Sequence, residues 1–218
     1  MKNSIKIMKG IKRKSITWTS EIAYIVGLLT TDGCLSSNRG HVEITSKDVQ
    51  LLKTFKNCLG IKNKITRKTS GFTHKKNCYR IQFGNVIFYD WLLRIGLIPH
   101  KTGKIGALKI PDKYFFHFLR GHLDGDGSFL RYQDPIFPKS ERIYIKFRSK
   151  NLKHLMWLKS RINSLLKIKG YIANDGNVFS LRFAKRASLI LLPYLYPTKY
   201  VPCLKRKYNI VKDLIPCH

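Results

Sequence analysis

The sequence predicts an α+β fold of two related halves, each running αββαββα, with paired glycine-bearing helices between the halves and antiparallel sheets outside them. Three observations predict it. Two apolar runs, Ile25-Val26-Gly27-Leu28-Leu29-Thr30-Thr31-Asp32-Gly33 and Leu119-Arg120-Gly121-His122-Leu123-Asp124-Gly125-Asp126-Gly127, each hold a glycine and stop at an Asp-Gly pair. The segments after them recur in order: Ser46-Lys47-Asp48 matches Ser149-Lys150-Asn151, Tyr79–Phe83 matches Phe179–Phe183, and Pro99-His100-Lys101 matches Pro197-Thr198-Lys199. The offset is about one hundred residues, apart from a longer loop, Gln133–Glu141, in the second half. Two copies are too few for a solenoid. A pseudo-dimer in one chain is the better reading.

Thr19-Ser20-Glu21 starts the first helix with a hydroxyl cap and an acid in the first turn. Ile22, Ala23, Ile25, Val26 and Leu29 keep helical spacing until Gly33 ends the run. His41-Val42-Glu43-Ile44-Thr45 alternates strictly and reads as a strand. Ser46-Lys47-Asp48 then caps a helix with Val49, Leu51, Leu52 and Phe55, ending at Leu59-Gly60. Asn63–Thr69 and Tyr79–Phe83 read as strands around the polar loop Ser70–Asn77, and Val86–Leu97 as an amphipathic helix closed by Gly96 and Pro99. After Pro111-Asp112 the order restarts. Tyr114, Phe115, Phe118, Leu119 and Leu123 form a helix face, and Arg142–Arg148 alternates as a strand. A helix with Leu152, Leu155, Leu158, Ile162 and Leu165 follows, then strands at Gly170–Ala173 and Val178–Phe183 and a short helix, Ser188–Tyr194. The halves are expected at 19–108 and 109–218, with 1–18 as a basic arm.

Apolar content of 44% is that of a globular chain, but 42 Lys+Arg against 12 Asp+Glu leave a formal charge of +30. Natural surfaces usually mix signs. So large an excess self-repels and points to a polyanion, nucleic acid ahead of an anionic membrane. No apolar run is long enough to span a bilayer, and Met1–Trp18 lacks the apolar core of a signal peptide. Cys34, Cys58, Cys78, Cys203 and Cys217 are scattered and form no Cys-x-x-Cys. That argues against a disulfide framework and a zinc finger, and for an intracellular reducing compartment. The seven histidines show no ligand spacing; His117 and His122, in or beside the second motif, read as packing residues or phosphate contacts.

One Asp-Gly pair alone is a turn. Two pairs at the ends of helices that cross at Gly27 and Gly121 bring Asp32 and Asp126 together. Adjacent carboxylates repel unless a divalent cation sits between them, and hard oxygen donors beside a phosphate substrate suit Mg2+, with Ca2+ or Mn2+ able to substitute. Asp124-x-Asp126-x-Ser128 opens like a calcium loop, but Phe129 stands where that loop needs glycine and Pro135 where it needs Glu. Asp124 therefore reads as a helix-end hydrogen-bonding residue.

The two nine-residue motifs resemble those of the LAGLIDADG homing endonuclease family in its single-chain form, and the likeness covers nearly the whole chain from Thr19. Thr30 and Thr31 depart from the family pattern in the first motif, Arg120 and His122 in the second; neither departure touches the last acid. The resemblance implies Asp32 and Asp126 as metal ligands, one per strand of duplex, with Lys101 and Lys199, matched by the repeat, assisting catalysis. Lys205-Arg206-Lys207 is the alternative donor, expected to contact backbone phosphate.

The strands supply the reading surface. Arg142, Tyr144, Lys146 and Arg148 share one face by period-two alternation, as do Arg80 with Gln82, Ser180 with Arg182, and His41, Glu43 and Thr45. Arginine and glutamine on a twisted sheet can read guanine and adenine in a major groove. Ser36, Asn38, Arg39, Arg67, Lys75, Arg131 and Asn177 complete the expected DNA contacts from strands and loops. The function implied is metal-dependent, site-specific double-strand cleavage of a long duplex target by a monomer, leaving short 3′ overhangs. An RNA maturase or a non-catalytic DNA-binding regulator on the same fold is the alternative.

Overall fold

The computed structural model describes residues 15–37, 40–69 and 78–216. The first half runs α1 (Ser20–Thr31), β1 (Gly33–Leu35), β2 (His41–Ser46), α2 (Val49–Leu59), β3 (Thr66–Lys68), β4 (Cys78–Gly84) and α3 (Val86–Arg94). The second runs α4 (Asp112–Asp126), β5 (Ser128–Gln133), β6 (Glu141–Ser149), α5 (Leu152–Leu166), β7 (Tyr171–Asn174), β8 (Phe179–Phe183) and α6 (Lys185–Leu195). A further helix, α7 (Lys205–Val211), and a 3-10 turn close it. Each half is αββαββα, and each sheet is antiparallel, ordered β1-β2-β4-β3 and β5-β6-β8-β7.

Two of the expected helix starts follow the expected chemistry, whereas Asp48, at the cap of α2, makes no side-chain cap bond and accepts from Arg206 instead. Thr19 accepts from the Ile22 amide at 3.1 Å, and Asn85 and Asn151 cap α3 and α5 in the same way. In both halves the serine two residues before the cap, Ser46 or Ser149, accepts the cap residue's own amide at 3.1 and 3.0 Å. Val42, Ile44, Ile81 and Phe83 from the first sheet, and Ile143, Ile145, Phe147, Leu181 and Phe183 from the second, are buried beneath helices in one continuous core. Their alternate neighbours face outward.

Three elements were not placed individually by pattern: β1, β5 and α7. Each is short, amphipathic and weakly alternating. Asn63–Thr69 narrows to the three residues of β3, and α3 stops at Arg94 rather than Leu97. No helix among the described residues is long and apolar enough to cross a membrane. The expected contacts Asn38, Arg39 and Lys75 lie outside the described residues.

Candidate active site and nucleic-acid interface

The two motif helices, α1 and α4, pack against one another at their glycines. A Cβ on Gly27 would stand 2.1 Å from the Phe118 carbonyl oxygen, and one on Gly121 would stand 2.0 Å from that of Tyr24. No side chain fits at either place, so the backbones approach as closely as chains can. The crossing carries the helix ends together. A Cβ on Gly125 would meet Thr31 Oγ1 at 1.9 Å and Asp32 Oδ2 at 3.2 Å. Asp32 caps the end of α1, and Asp126 is the last residue of α4.

Asp32 is half-buried at this junction, while Asp126 is exposed at the cleft. Burial and the Asp126 charge push Asp32 up to about 7, against the pull of Lys207 and Lys101. Burial also raises Asp126, opposed by Lys101, Lys207 and Arg148. Both raised acids oppose their own ionisation, the condition that a cation between them would relieve.

The lysines reveal the pseudosymmetry most clearly. Lys101 Nζ donates to the carbonyls of Thr31 (2.9 Å) and Gly33 (2.5 Å), the residues either side of Asp32. Lys207 Nζ donates to Gly125 (3.0 Å) and Gly127 (2.7 Å), the residues either side of Asp126, and to Leu123 and Asp124 as well. Lys207 is thus the partner of Lys101. The repeat-based choice of Lys199 is corrected: its ammonium lies over the adjacent Tyr200 ring at 5.3 Å, beside Tyr196, Thr198 and Tyr208, away from the acid pair. Within the 205–207 cluster Lys207 is buried, Lys205 is exposed, and Arg206 is exposed and forks onto Asp48 of the first half at 2.8–3.1 Å. Burial lowers Lys101, and lowers Lys207 to about 8 with the nearby acids opposing.

The departures from the motif pattern have local reasons. Thr30 and Thr31 return their hydroxyls to carbonyls of their own helix, Val26 and Leu28. Asp124 is buried and accepts from Tyr24 OH at 2.8 Å and from the Leu204 amide at 2.7 Å, a structural role as its helix-end position suggested. Arg120 is fully buried, donating to the Leu195 and Pro202 carbonyls and stacking over the Tyr24 ring. Together they tie the segment leading to Lys207 onto the motif helices. His122 is a packing residue, stacked on His154 at 5.2 Å. A cleft of about 370 Å3 opens beside these groups, lined by Thr30, Thr31, Lys101, Asp126, Arg148 and Lys150 among others.

On the sheets, His41, Glu43 and Thr45 of β2 share the outward face with Arg80 and Gln82 of β4. Arg142, Tyr144, Lys146 and Arg148 of β6 share the other with Arg182. Ser36 and Asn177 lie in the loops at strand ends, Ser36 accepting the His41 amide. Three expected contacts are corrected. Arg67 pairs with Tyr79 on the opposite face from Arg80, and Lys68 holds the outward place. Arg131 turns from the outward face to Glu141 and Asp213, at 2.7 and 2.6 Å. Ser180 faces outward but is fully covered, with Arg182 Nε bonded to its hydroxyl.

Comparison with known proteins agrees with this fold. The homing endonuclease I-WcaI bound to its DNA recognition sequence superposes with a TM-score of 0.67 over 96% of this chain and 93% of that one, at 12% identity. The meganuclease I-SmaMI bound to uncleavable DNA gives 0.60 over 88% of each chain at 14% identity. Full-length DUF199/WhiA from Thermatoga maritima gives 0.58, over 97% and 72%, at 13%. Residues 19–95 match the family model of the LAGLIDADG-like domain. The chain is thus similar to the LAGLIDADG-like domain over residues 19–95 and shares the two-repeat fold of these structures over its length. An uncharacterized protein of Methanocaldococcus jannaschii is 27% identical over 129 residues, a match that spans 56% of this chain and 46% of that protein. The sequence reading prefers Lys199 and holds Lys207 only within the alternative donor cluster 205–207. The only signal for Lys207 is a basic run directly after the Pro202–Leu204 connection.

Proposed function

We propose that this protein is a site-specific DNA endonuclease that hydrolyses one phosphodiester in each strand of a duplex. The carrying observation is the duplicated arrangement at the helix crossing, Asp32 with Lys101 and Asp126 with Lys207, between two sheets with cationic outward faces.

The donor set fits a hard divalent cation. Asp32 and Asp126 offer oxygen only, and the Asp126 charge disfavours ionisation of Asp32. Magnesium takes one or two carboxylates and keeps its waters, so a pair of aspartates is a fitting ligand set for it. Asp32 and Asp126 would hold the ion, which when bound supplies Lewis-acid stabilisation of charge at the scissile phosphate.

The chain's own residues do the rest. Lys207 has three N–H donors and four carbonyls within 3.0 Å, so it is saturated and serves as a fixed positive charge that shapes the end of α4. Lys101 meets two carbonyls and keeps one donor for a phosphate oxygen or the attacking water. Arg148, in the same cleft, adds positive charge beside Asp126. Because both half-sites are in one chain, a monomer would act on an asymmetric target.

The test uses a duplex selected from a randomised pool by the protein itself, then cloned into a plasmid. Linear product in Mg2+, lost in Asp126→Asn, is expected. Tight binding of the selected duplex with no cutting in Mg2+ or Mn2+ would overturn the nuclease reading in favour of a DNA-binding regulator.

A further inference from the structure

Among the described residues the second sheet carries something the first does not. Its β5–β6 hairpin extends to Gln133↔Glu141, whereas β1 stops at Leu35. On the outward face, Leu130 lies opposite Tyr144, and Tyr132 lies opposite Arg142. Leu130 and Tyr132 are 41% and 40% exposed, and the Tyr132 and Tyr144 rings stack with planes 14° apart and centroids at 6.5 Å. At the tip, Ile136 and Phe137 are 79% and 64% exposed. Nearly buried Asp134 fixes that tip, accepting the Ile136 and Phe137 amides at 2.9 and 3.2 Å and binding Arg142 Nε. Single exposed apolar side chains need no explanation. A contiguous, prestacked strip that continues the Lys146 and Arg148 face does.

We propose that this strip recognises thymine 5-methyl groups in the major groove at the outer end of the second half-site, through Leu130, Tyr132 and Tyr144. The proposal rests on the duplex-DNA reading above. The thymine methyl is the apolar feature that base edges offer in that groove, and apolar side chains are what contact it. Strand geometry places the contact. Arg148 sits in the cleft beside Asp126, and the chain advances about 3.3 Å per residue to Tyr144 and Arg142. That is about 13 to 20 Å, or about four to six base steps of 3.4 Å outward. Among the described residues no such strip faces outward from the first sheet, where Glu43, Thr45, Arg80 and Gln82 hold the corresponding surface. The two half-sites are therefore expected to differ in kind.

The test is selection from a randomised duplex pool by the wild type and by Leu130→Ser/Tyr132→Ser, with Gln82→Ala marking which end belongs to the first half. Thymines are expected about four to six base pairs beyond the Arg148 contact, and that preference is expected to vanish in the double variant. Replacing those thymines with deoxyuridine should weaken wild-type binding about fourfold per methyl, the worth of one buried carbon, and leave the double variant unchanged. Wild-type binding that ignores the deoxyuridine change, or a consensus without thymine there, would overturn the proposal while leaving the DNA reading intact. This arm needs no variant to fold. Failure to bind any duplex would sink both readings.

Discussion

The two halves repeat one backbone plan yet treat their lysine differently. Lys101 caps two carbonyls around Asp32 and keeps a donor in hand, while Lys207 exhausts its donors on four carbonyls around Asp126. The outward faces diverge as well: Glu43 gathers Arg80 and Lys68 in the first sheet, whereas the second ends in an apolar hairpin. On the proposed function, symmetry is kept where the two strands of DNA would present the same chemistry, at the carboxylates, and relaxed where each side would meet a different sequence. The comparison thus separates the residues proposed for the reaction from those proposed for recognition.

The shared glycines should be the most severe place to disturb it. Gly121→Val or Gly27→Val places carbons inside 2.2 Å of backbone oxygen, and neither variant is expected to give a cooperative thermal transition. A normally folded Gly121→Val protein would refute the close crossing. Next in size, Asp32→Asn and Asp126→Asn should each lower double-strand cleavage by about 10^3-fold, as loss of a metal-holding carboxylate removes several kcal/mol of transition-state stabilisation. Gel analysis of nicked against linear plasmid would show whether one acid alone still serves one strand.

The lysines separate the halves. Lys207→Met leaves four carbonyls without their donor and should cost about 3 kcal/mol in urea unfolding, while Lys101→Met should cost less but cut cleavage more. Lys199→Ala should change neither. Equal stability losses in the first two would remove the asymmetry. A smaller effect concerns pH. Asp32 is held near 7 in the fold against about 3.8 in the unfolded chain, so the folded state binds the extra proton between those values. Its contribution to stability is therefore present below about 4 and lost as pH rises through about 7. In chelator, Asp32→Asn should exceed the wild type in stability by on the order of 2 kcal/mol at pH 8, with the gap closing toward pH 4. Smallest of all, Lys146→Ala on the second sheet should reduce the slope of log affinity against log salt by about 1 if it meets one phosphate.

The pattern of helices and strands was readable because amphipathic spacing repeats twice, and two matched Asp-Gly endings gave Asp32 and Asp126. Lys101 was equally legible. Lys199 was not its partner, because the Pro-x-Lys likeness is local. The second half takes eight further residues to bring an ammonium back to the equivalent carbonyls, and no spacing rule encodes a bond to backbone oxygen. Arg67, Arg131 and Ser180 were misread for a related reason. Period two gives two faces but not which one is covered, and Arg131 answers to Asp213, a residue far along the chain. The apolar hairpin was missed because Leu130 and Tyr132 sit in a strand that simple alternation did not detect.

Arg206 on Asp48, the Gln50 amide on the Cys203 carbonyl at 3.0 Å and the Lys205 amide on Gln50 at 2.9 Å strap the end of the second half across the first. The lysine beside Asp126 is thus delivered by a segment fastened to the other repeat. Grafting either half onto a foreign companion would sever that fastening, so new pairings made by exchange of halves would need Asp48 and Gln50 carried along with the graft.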